Sequence, residues 1–202
     1  MIFQKQTNQR RPISNKHFYM PTDLNKILLS DRLCAFTGHR PQKLQIQSEK
    51  DGQALQIKKM LREEILKALD EGYTEFISGM ALGTDLWAAE IALHIKLIYD
   101  IWNKDIRLYA AIPFLGQDNT WPEDVRERYY NVLNRCDGIF CLSETISNDA
   151  YLRRNDFMVE HAAKLIAVYN GSEGGTDYTI KKAKQKGIDI TLLLPDHTAK
   201  KM

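Results

Sequence analysis

The sequence contains few cysteines and no long apolar segment. Its 202 residues include only Cys34, Cys136 and Cys141, and no C-x-x-C pair occurs. Three cysteines cannot all be paired in disulfides, which favours a reducing compartment. No run approaches the roughly 18 apolar residues of a spanning helix, and residues 1–30 hold no apolar stretch suited to a signal peptide. We therefore expect a cytoplasmic protein that makes no use of a membrane.

The sequence also lacks an excess of charge of one sign. Its formal net charge is +2, but residues 1–30 alone carry +4, because Asp23 is their only acidic residue. The other 172 residues therefore sum to about −2. A broad nucleic-acid surface usually shows a basic face, so single-stranded DNA is a less favoured partner than a small molecule. A local basic groove remains compatible with this balance.

The chain divides into a short irregular part and a long regular part. Residues 1–30 are polar and basic without a regular period, which predicts a loosely held extension; the alternative is a lid or a partner-binding arm. From residue 31 onward the pattern is regular, and this length suits one domain. We expect that domain over residues 31–195 and a tail over residues 196–202.

Two common nucleotide-binding signatures are missing. The chain has no Gly-Lys-Ser/Thr ending of a Walker A loop and no G-x-G-x-x-G segment. The standard fingerprints of nucleoside-triphosphate and dinucleotide sites are therefore excluded. The sequence predicts no metal site and no certain cofactor.

Apolar runs of strand length alternate with stretches of helical period. The runs are Leu33–Thr37, Glu75–Ser78, Arg107–Ile112, Gly138–Leu142, Leu165–Tyr169 and Asp189–Leu194. Such alternation predicts βαβ units, a mostly parallel sheet and helices on both of its faces. The expected fold class is α/β, a Rossmann-like doubly wound sheet of about six strands flanked by helices.

Two of the predicted helices carry a further signal. Proline followed by acidic residues at Pro122-Glu123-Asp124 is typical of a helix start. The helix predicted from Asp85 to Tyr99 is apolar on nearly every side. Such a helix is either sandwiched within the fold or part of an oligomer interface, so a homodimer is possible.

The end of the first strand is the first candidate site, because ligands of open parallel sheets bind beside the carboxyl ends of the strands. Thr37, Gly38, His39 and Arg40 follow this strand. Glycine allows a sharp turn or close approach to a ligand, and the Arg40 guanidinium could pair with a phosphate or carboxylate. His39 could act as an acid, a base or a stacking ring. A plain βα turn with a solvated arginine is the alternative.

The end of the second strand runs directly into the apolar helix. The free amides and the dipole of a helix N-terminus form an anion site, and small residues would leave those amides open. At minimum Thr84 or Asp85 is an N-cap. The candidate ligand-binding residues of this segment are Ser78, Gly79, Ala81, Gly83, Thr84 and Asp85.

A faint internal repeat predicts a further wall. Residues 76–85 align without gaps on residues 168–177, which adds Gly174, Gly175 and Thr176 to the site. With a strand order of 3-2-1-4-5-6, three strand spacings would separate the two loops by roughly 14 Å, a span that suits a nucleotide. Asp85 and Asp177 would repel phosphate, so a pure polyanion site is less favoured, and carboxylates in such positions suit ribose hydroxyls better.

Two other segments are candidates for the same site. Arg154 and Asn155, which follow Arg153, precede a short amphipathic stretch and could close over a ligand phosphate. The alternative for them is an ordinary charged helix start. Pro113, at the end of the third strand, could supply a wall or a stacking surface.

Taken together, these segments resemble the YpsA-like branch of the SLOG superfamily, which groups DNA-processing DprA (Smf) proteins with LOG phosphoribohydrolases. The resemblance covers about residues 32–195, and residues 1–30 look like an addition to it. It rests on the order of four blocks: Thr37-Gly38-His39-Arg40-Pro41, then Ser78-Gly79-x-Ala81-x-Gly83-x-Asp85-x-Trp87-Ala88-Ala89-Glu90, then Arg154-Asn155, then Gly174-Gly175-Thr176. It implies a Rossmann-like fold and a pocket for a nucleotide or a nucleotide derivative, ADP-ribose-like molecules being one class.

The resemblance also implies two alternatives. DprA relatives bind single-stranded DNA, and LOG relatives cleave the N-glycosidic bond of nucleoside monophosphates. LOG proteins carry a Gly-Gly-x-Gly-Thr-x-x-Glu loop, whereas here Gly174-Gly175-Thr176 lacks that glutamate. Glu90 and Asp85 are weak catalytic candidates, and Glu90 is more simply interpreted as an anchor for the neighbouring backbone. We therefore expect a binding or sensing protein rather than an enzyme.

Overall fold

One mixed sheet organises the computed structural model, which describes residues 13, 17–20, 31–101, 105–195 and 199–201. The strands are β1 Phe18–Tyr19, β2 Leu33–Gly38, β3 Glu75–Ser78, β4 Arg107–Ile112, β5 Gly138–Cys141, β6 Lys164–Val168, β7 Asp189–Leu193 and β8 Ala199–Lys201. The helices are α1 Gly52–Asp70, α2 Thr84–Asp100, α3 Glu123–Leu133, α4 Ala150–His161 and α5 Gly175–Lys186, with a 3-10 helix at Pro41–Leu44. The predicted α/β class and its six longer strands are confirmed.

The strand order is β1-β5-β4-β3-β2-β6-β7-β8, and every pair except β7–β8 is parallel. The predicted order 3-2-1-4-5-6 is wrong in one respect, because it placed the fourth long strand, β5, beside β2. The neighbours of β2 are instead β3 and β6. After β2 the chain adds β3, β4 and β5 in turn on one side of the sheet. It then crosses back and adds β6 and β7 on the other side of β2. Strand order therefore reverses between β2 and β6, and a reversal of this kind marks the usual ligand crevice.

The helices cover both faces of the sheet, as predicted. Cys34 and Phe36 point to the layer formed by α1, α2 and α3, whereas Leu33 and Ala35 point to the layer formed by α4 and α5. This alternation is the side-chain period of a strand, and because both faces are covered the central strands are mostly apolar on both sides. Two apolar cores thus hold the strand ends rigidly in register.

Helix α2 is sandwiched within the fold over most of its length. It packs against α1, α3 and the sheet, and Trp87 at its first turn is fully buried. This packing explains its nearly uniform apolar composition. Its last turns expose Leu97 and Ile98, and Ile101 just after the helix is 79% exposed. The possible homodimer stays a prediction.

The two short edge strands were not predicted. β1 pairs with β5 inside the expected extension, and β8 pairs with β7 inside the expected tail. The remaining residues of the extension, apart from residues 13, 17 and 20, lie outside the described residues, as do residues 196–198 and 202 of the tail. Within the described part of the chain, none of the helices combines the length and apolar character needed to cross a membrane.

Candidate ligand-binding site

A cavity of about 510 Å³ opens at the carboxyl ends of β2, β3 and β6. We call it the strand-end pocket. Its lining combines backbone turns, two helix N-termini and several charged side chains, and consists of Thr37, Gly38, His39, Arg40, Gln42, Lys43, Ala81, Asp85, Tyr151, Arg154, Asn155, Gly175 and Thr176. Most of the residues predicted for the site therefore lie together.

The turn after β2 is held by β6 on one side and by the first residue of α2 on the other. The His39 amide donates to the Val168 carbonyl at 3.1 Å, and the Thr84 hydroxyl donates to the His39 carbonyl at 3.0 Å. Thr84 is fully buried and lies directly against Gly38, where even a Cβ atom would overlap it. Arg40 then emerges exposed at the pocket, and its guanidinium makes no hydrogen bond or ion pair with the described residues.

The ring of His39 faces the loop after β6. Its Nε2 atom lies 3.2 Å from the Ser172 hydroxyl, and the ring packs 5.3 Å from the ring of Tyr169. Burial, reinforced by the charge of Lys43, lowers the pKa of His39 below its ordinary value of 6.5. A neutral imidazole at this position tethers the loop by a hydrogen bond rather than attracting an anion by charge.

Asp85 and Arg154 form a buried ion pair at the floor of the pocket. Arg154 Nη1 lies 3.1 Å from Asp85 Oδ2 and also donates to the Gly79 carbonyl. Burial raises the pKa of the Asp85 carboxyl, while the Arg154 charge and a hydrogen bond from the Ala81 amide oppose that shift. Burial lowers the pKa of Arg154, but a guanidinium keeps its proton in proteins. The positive charge of Arg154 thereby balances the negative charge of the Asp85 carboxylate.

Lys43 joins the two sides of the pocket rim. Its ammonium donates to the Glu173 carbonyl, and its own carbonyl accepts from the Asn170 amide at 2.9 Å. The 3-10 helix after β2 is thus fastened to the loop before α5. Lys43 also places a positive charge beside the N-terminus of α5, where the first amides have no acceptor within the helix.

The two copies of the internal repeat differ in the direction of their aspartates. Asp85 points inward to Arg154, whereas Asp177 accepts from the Tyr169 hydroxyl at 2.8 Å and pairs with Lys181 at 2.7 Å. Asp177 does not line the strand-end pocket. Each helix therefore carries an aspartate in its first turn, but of the two only Asp85 lines the strand-end pocket.

The distance expected between the two repeat loops also changes. In the observed order only β2 lies between β3 and β6, so two strand spacings separate the loops, roughly 10 Å rather than roughly 14 Å. The two repeat loops therefore lie closer together than the sequence predicted.

Six predicted residues do not line the pocket: Ser78, Gly79, Gly83, Thr84, Pro113 and Gly174. Ser78 donates to the Asp85 carbonyl at 2.8 Å, and Gly83 starts α2 with a φ of 85°, which disfavours any residue with a side chain. Gly79 has no room for a Cβ atom, which would lie 1.7 Å from Arg154 Nη1.

Glu90 lies elsewhere, in an ion-pair network between helices. Both of its carboxylate oxygens accept from Arg128 at 2.6 Å, and Arg128 also binds Glu49 at 2.9 and 3.1 Å. The two acidic neighbours raise the pKa of Arg128. Burial opposes ionisation of Glu49, but hydrogen bonds from Arg128 and Lys58 outweigh it and hold the pKa of Glu49 at about 2. Glu90 thus anchors α3 and the segment before α1 to α2.

Three lining residues were missed by the sequence reasoning: Gln42, Lys43 and Tyr151. Gln42 and Lys43 belong to the 3-10 helix, and the proline at its first position, Pro41, was the available signal. Tyr151 lies on the first turn of α4, beside the predicted Arg154, and no local pattern marks it.

Comparison with known proteins agrees with the resemblance noted in the sequence. The sequence model described as YspA SLOG family matches residues 34–197. UPF0398 proteins of Bacillus thuringiensis (strain Al Hakam) and Bacillus cereus (strain B4264) are each 31% identical over 159 residues, which covers 77% of this chain and 84% of each relative.

The fold is shared with DNA processing protein A. The protein from Streptococcus pneumoniae superposes with a TM-score of 0.55 at 19% identity, over 86% of this chain and 52% of that one. This chain therefore spans about half of the pneumococcal protein. The protein from Helicobacter pylori, described for its single-stranded DNA binding mode, gives a TM-score of 0.53 at 18% identity over 85% and 67% of the two chains. At these identities the likeness concerns the fold.

Proposed function

The chain belongs to the YspA SLOG family, and from that premise we propose that its strand-end pocket binds or senses a nucleotide or a nucleotide derivative of the ADP-ribose type. The observation that carries the proposal is the asymmetry of the two helix N-termini. At α2 the Asp85–Arg154 ion pair lines the pocket, whereas at α5 the described lining residues, Gly175 and Thr176, are uncharged and Lys43 lies beside them. A ligand in which a phosphate adjoins a sugar with free hydroxyls matches this arrangement.

The anionic end of the ligand would lie at the N-terminus of α5. Gly175 and Thr176 belong to its first turn, Lys43 places a positive charge beside it, and Arg40 adds a second positive charge to the lining of the same pocket. Backbone amides and a helix dipole favour a phosphate, and guanidinium adds paired hydrogen bonds. The Asp177 carboxylate of this turn is bound by Tyr169 and Lys181, and the lysine offsets its charge.

The sugar would lie over the Asp85–Arg154 pair. A carboxylate oxygen in this position accepts from ribose hydroxyls, as carboxylates of dinucleotide folds do. Asn155, whose amide donates to the Gly175 carbonyl at 3.5 Å, lies between the two ends of the pocket. Uncharged hydroxyls are better partners here than a second phosphate, because Arg154 is already matched by Asp85.

Calorimetric titration with ADP-ribose tests the proposal, and Arg40→Ala is the informative variant. Removing a charged hydrogen-bond donor should weaken binding roughly 10- to 100-fold. Arg153→Ala is the matched control, because Arg153 is an exposed arginine that pairs with Asp149 and does not line the pocket. Absence of heat with ADP-ribose, NAD and nucleoside monophosphates, or equal effects of the two variants, would contradict the proposal.

Single-stranded DNA is the second candidate ligand, favoured by the likeness to DprA folds. Arg40 and Lys43 would contact the phosphates. Binding through phosphates falls steeply with salt, so a gel shift that disappears between low and moderate salt would support it. The near-neutral charge of residues 31–202 places it second.

N-glycosidic hydrolysis has less support in the site. Glu90 is engaged by Arg128, and Asp85 is the one carboxylate among the described residues that line the pocket. Its pairing with Arg154 leaves it poorly suited to serve as a general acid or base.

A further inference from the structure

Tyr151 is an exposed aromatic residue at the lip of the strand-end pocket. It lies on the first turn of α4, it is 37% exposed, and it lines the same cavity as Arg40 and Lys43. None of the residues assigned above to the anion or to the sugar accounts for an aromatic ring in this position.

Phe114 holds the ring of Tyr151 in place. The two ring centroids lie 5.6 Å apart at an interplanar angle of 80°, an edge-to-face contact, and Phe114 itself is 5% exposed. Edge-to-face pairs are a favoured arrangement of aromatic rings. The plane of a partly exposed ring is thereby fixed by a buried one.

Sheet order separates Tyr151 from the anion end of the pocket. Phe114 follows β4, and the turn that contains Gly175 follows β6. Three strand spacings lie between β4 and β6, which is roughly 14 Å. Asp85 and Arg154 lie between these ends, so the pocket presents cations and amides, then a polar pair, then an aromatic ring.

We infer that Tyr151 is the base-stacking residue of this pocket, and that the ligand carries an aromatic heterocycle at the end opposite its phosphate. The inference rests on the proposed function. It adds the base, which is the part of the ligand that the proposed function does not assign to any residue. Aromatic side chains stack on any base through its π-face, so Tyr151 provides affinity for a base while the polar groups orient the sugar and phosphate. The ligand class is then a nucleoside phosphate rather than a sugar phosphate.

The experiment compares ligands with and without a base. Adenosine 5′-monophosphate and ribose 5-phosphate are titrated calorimetrically into the wild type, Tyr151→Ala, Tyr151→Phe and Leu152→Ala. Leu152 is the matched control, because it is the next residue of α4, is 40% exposed and does not line the pocket. A urea unfolding curve for each variant verifies that it is folded.

The expected result is a preference of the wild type for adenosine 5′-monophosphate over ribose 5-phosphate. Tyr151→Ala should weaken the binding of adenosine 5′-monophosphate by roughly 5- to 150-fold and leave ribose 5-phosphate unchanged. Tyr151→Phe and Leu152→Ala should retain the wild-type preference.

Three outcomes would overturn the inference, and they separate the stacking role from the proposed function. Equal affinity of the wild type for both ligands, or equal weakening of both in Tyr151→Ala, would remove the stacking role and leave the proposed function in place. Failure of both ligands, together with ADP-ribose, to bind the folded wild type would remove the proposed function and the inference with it.

Discussion

Asp85 and Asp177 hold equivalent positions in an internal repeat but differ in what they bind. Asp85 is paired with buried Arg154, and Asp177 is bound to Tyr169 and Lys181 outside the pocket. The same local sequence, Gly-Thr-Asp, thus lines the pocket with an ion pair in one copy and turns its aspartate away from the pocket in the other. The two halves of the site therefore differ in charge although the two repeat sequences are similar.

This relationship predicts unequal costs for the same substitution. Asp85→Asn leaves the Arg154 guanidinium buried without its counter-charge, which should cost about 3–5 kcal/mol of unfolding free energy. Asp177→Asn should change stability less, because its ionic partner Lys181 is exposed and the amide oxygen can still accept from Tyr169. Urea unfolding of both variants measures the two losses of unfolding free energy. Similar losses would contradict the greater structural role assigned to Asp85.

Gly79 is expected to be intolerant of even one methyl group. In Gly79→Ala the new Cβ atom would overlap Arg154 Nη1 and displace it from the Gly79 carbonyl. We expect a loss of about 1–3 kcal/mol, the usual cost of overpacking. Gly52→Ala is the control, because at the start of α1 no atom lies within 4 Å of the place that the new methyl group would occupy. A neutral Gly79→Ala variant in thermal or urea unfolding would contradict this interpretation of the turn.

Glu90 distinguishes a structural carboxylate from a catalytic one. Glu90→Gln should destabilise the protein by about 1 kcal/mol, because it weakens a charged hydrogen bond to partly exposed Arg128. Ligand affinity, measured with ADP-ribose, should not change. Glu63→Gln is the control on stability, since Glu63 is exposed and lies 3.9 Å from Lys59. If Glu90→Gln weakened the binding of ADP-ribose without lowering stability, Glu90 would have to act in ligand binding.

The sequence was sufficient to predict the strands and most of the pocket, but not the order of the strands. Apolar runs identify strands, and parallel crossovers fix their handedness, yet handedness does not determine on which side of β2 a later strand is added. The position of β5 depends on how α3 packs beside α2, which is a property of the tertiary structure.

The missed pocket residues have a related cause. Lys43 reaches the N-terminus of α5 because the 3-10 helix is fastened to residues 170 and 173, far along the chain. Tyr151 is placed by its contact with Phe114, on another strand end. Arg40, by contrast, follows its strand directly, and such residues can be assigned to the site from local sequence alone.

His39 predicts a pH dependence of stability with a defined sign. Burial and the charge of Lys43 lower its pKa in the folded protein, while Asn170 and Asp177 oppose this shift. The unfolded chain therefore binds the proton more readily, so stability is fully present above the unfolded pKa of 6.5 and declines as the pH falls below it. Urea unfolding between pH 8 and pH 5 should show this decline. His39→Gln should remove much of it, whereas His94→Gln, on an exposed face of α2, should retain it. A wild-type curve whose slope is unaltered by His39→Gln would show that the ring takes up its proton without cost in the folded state.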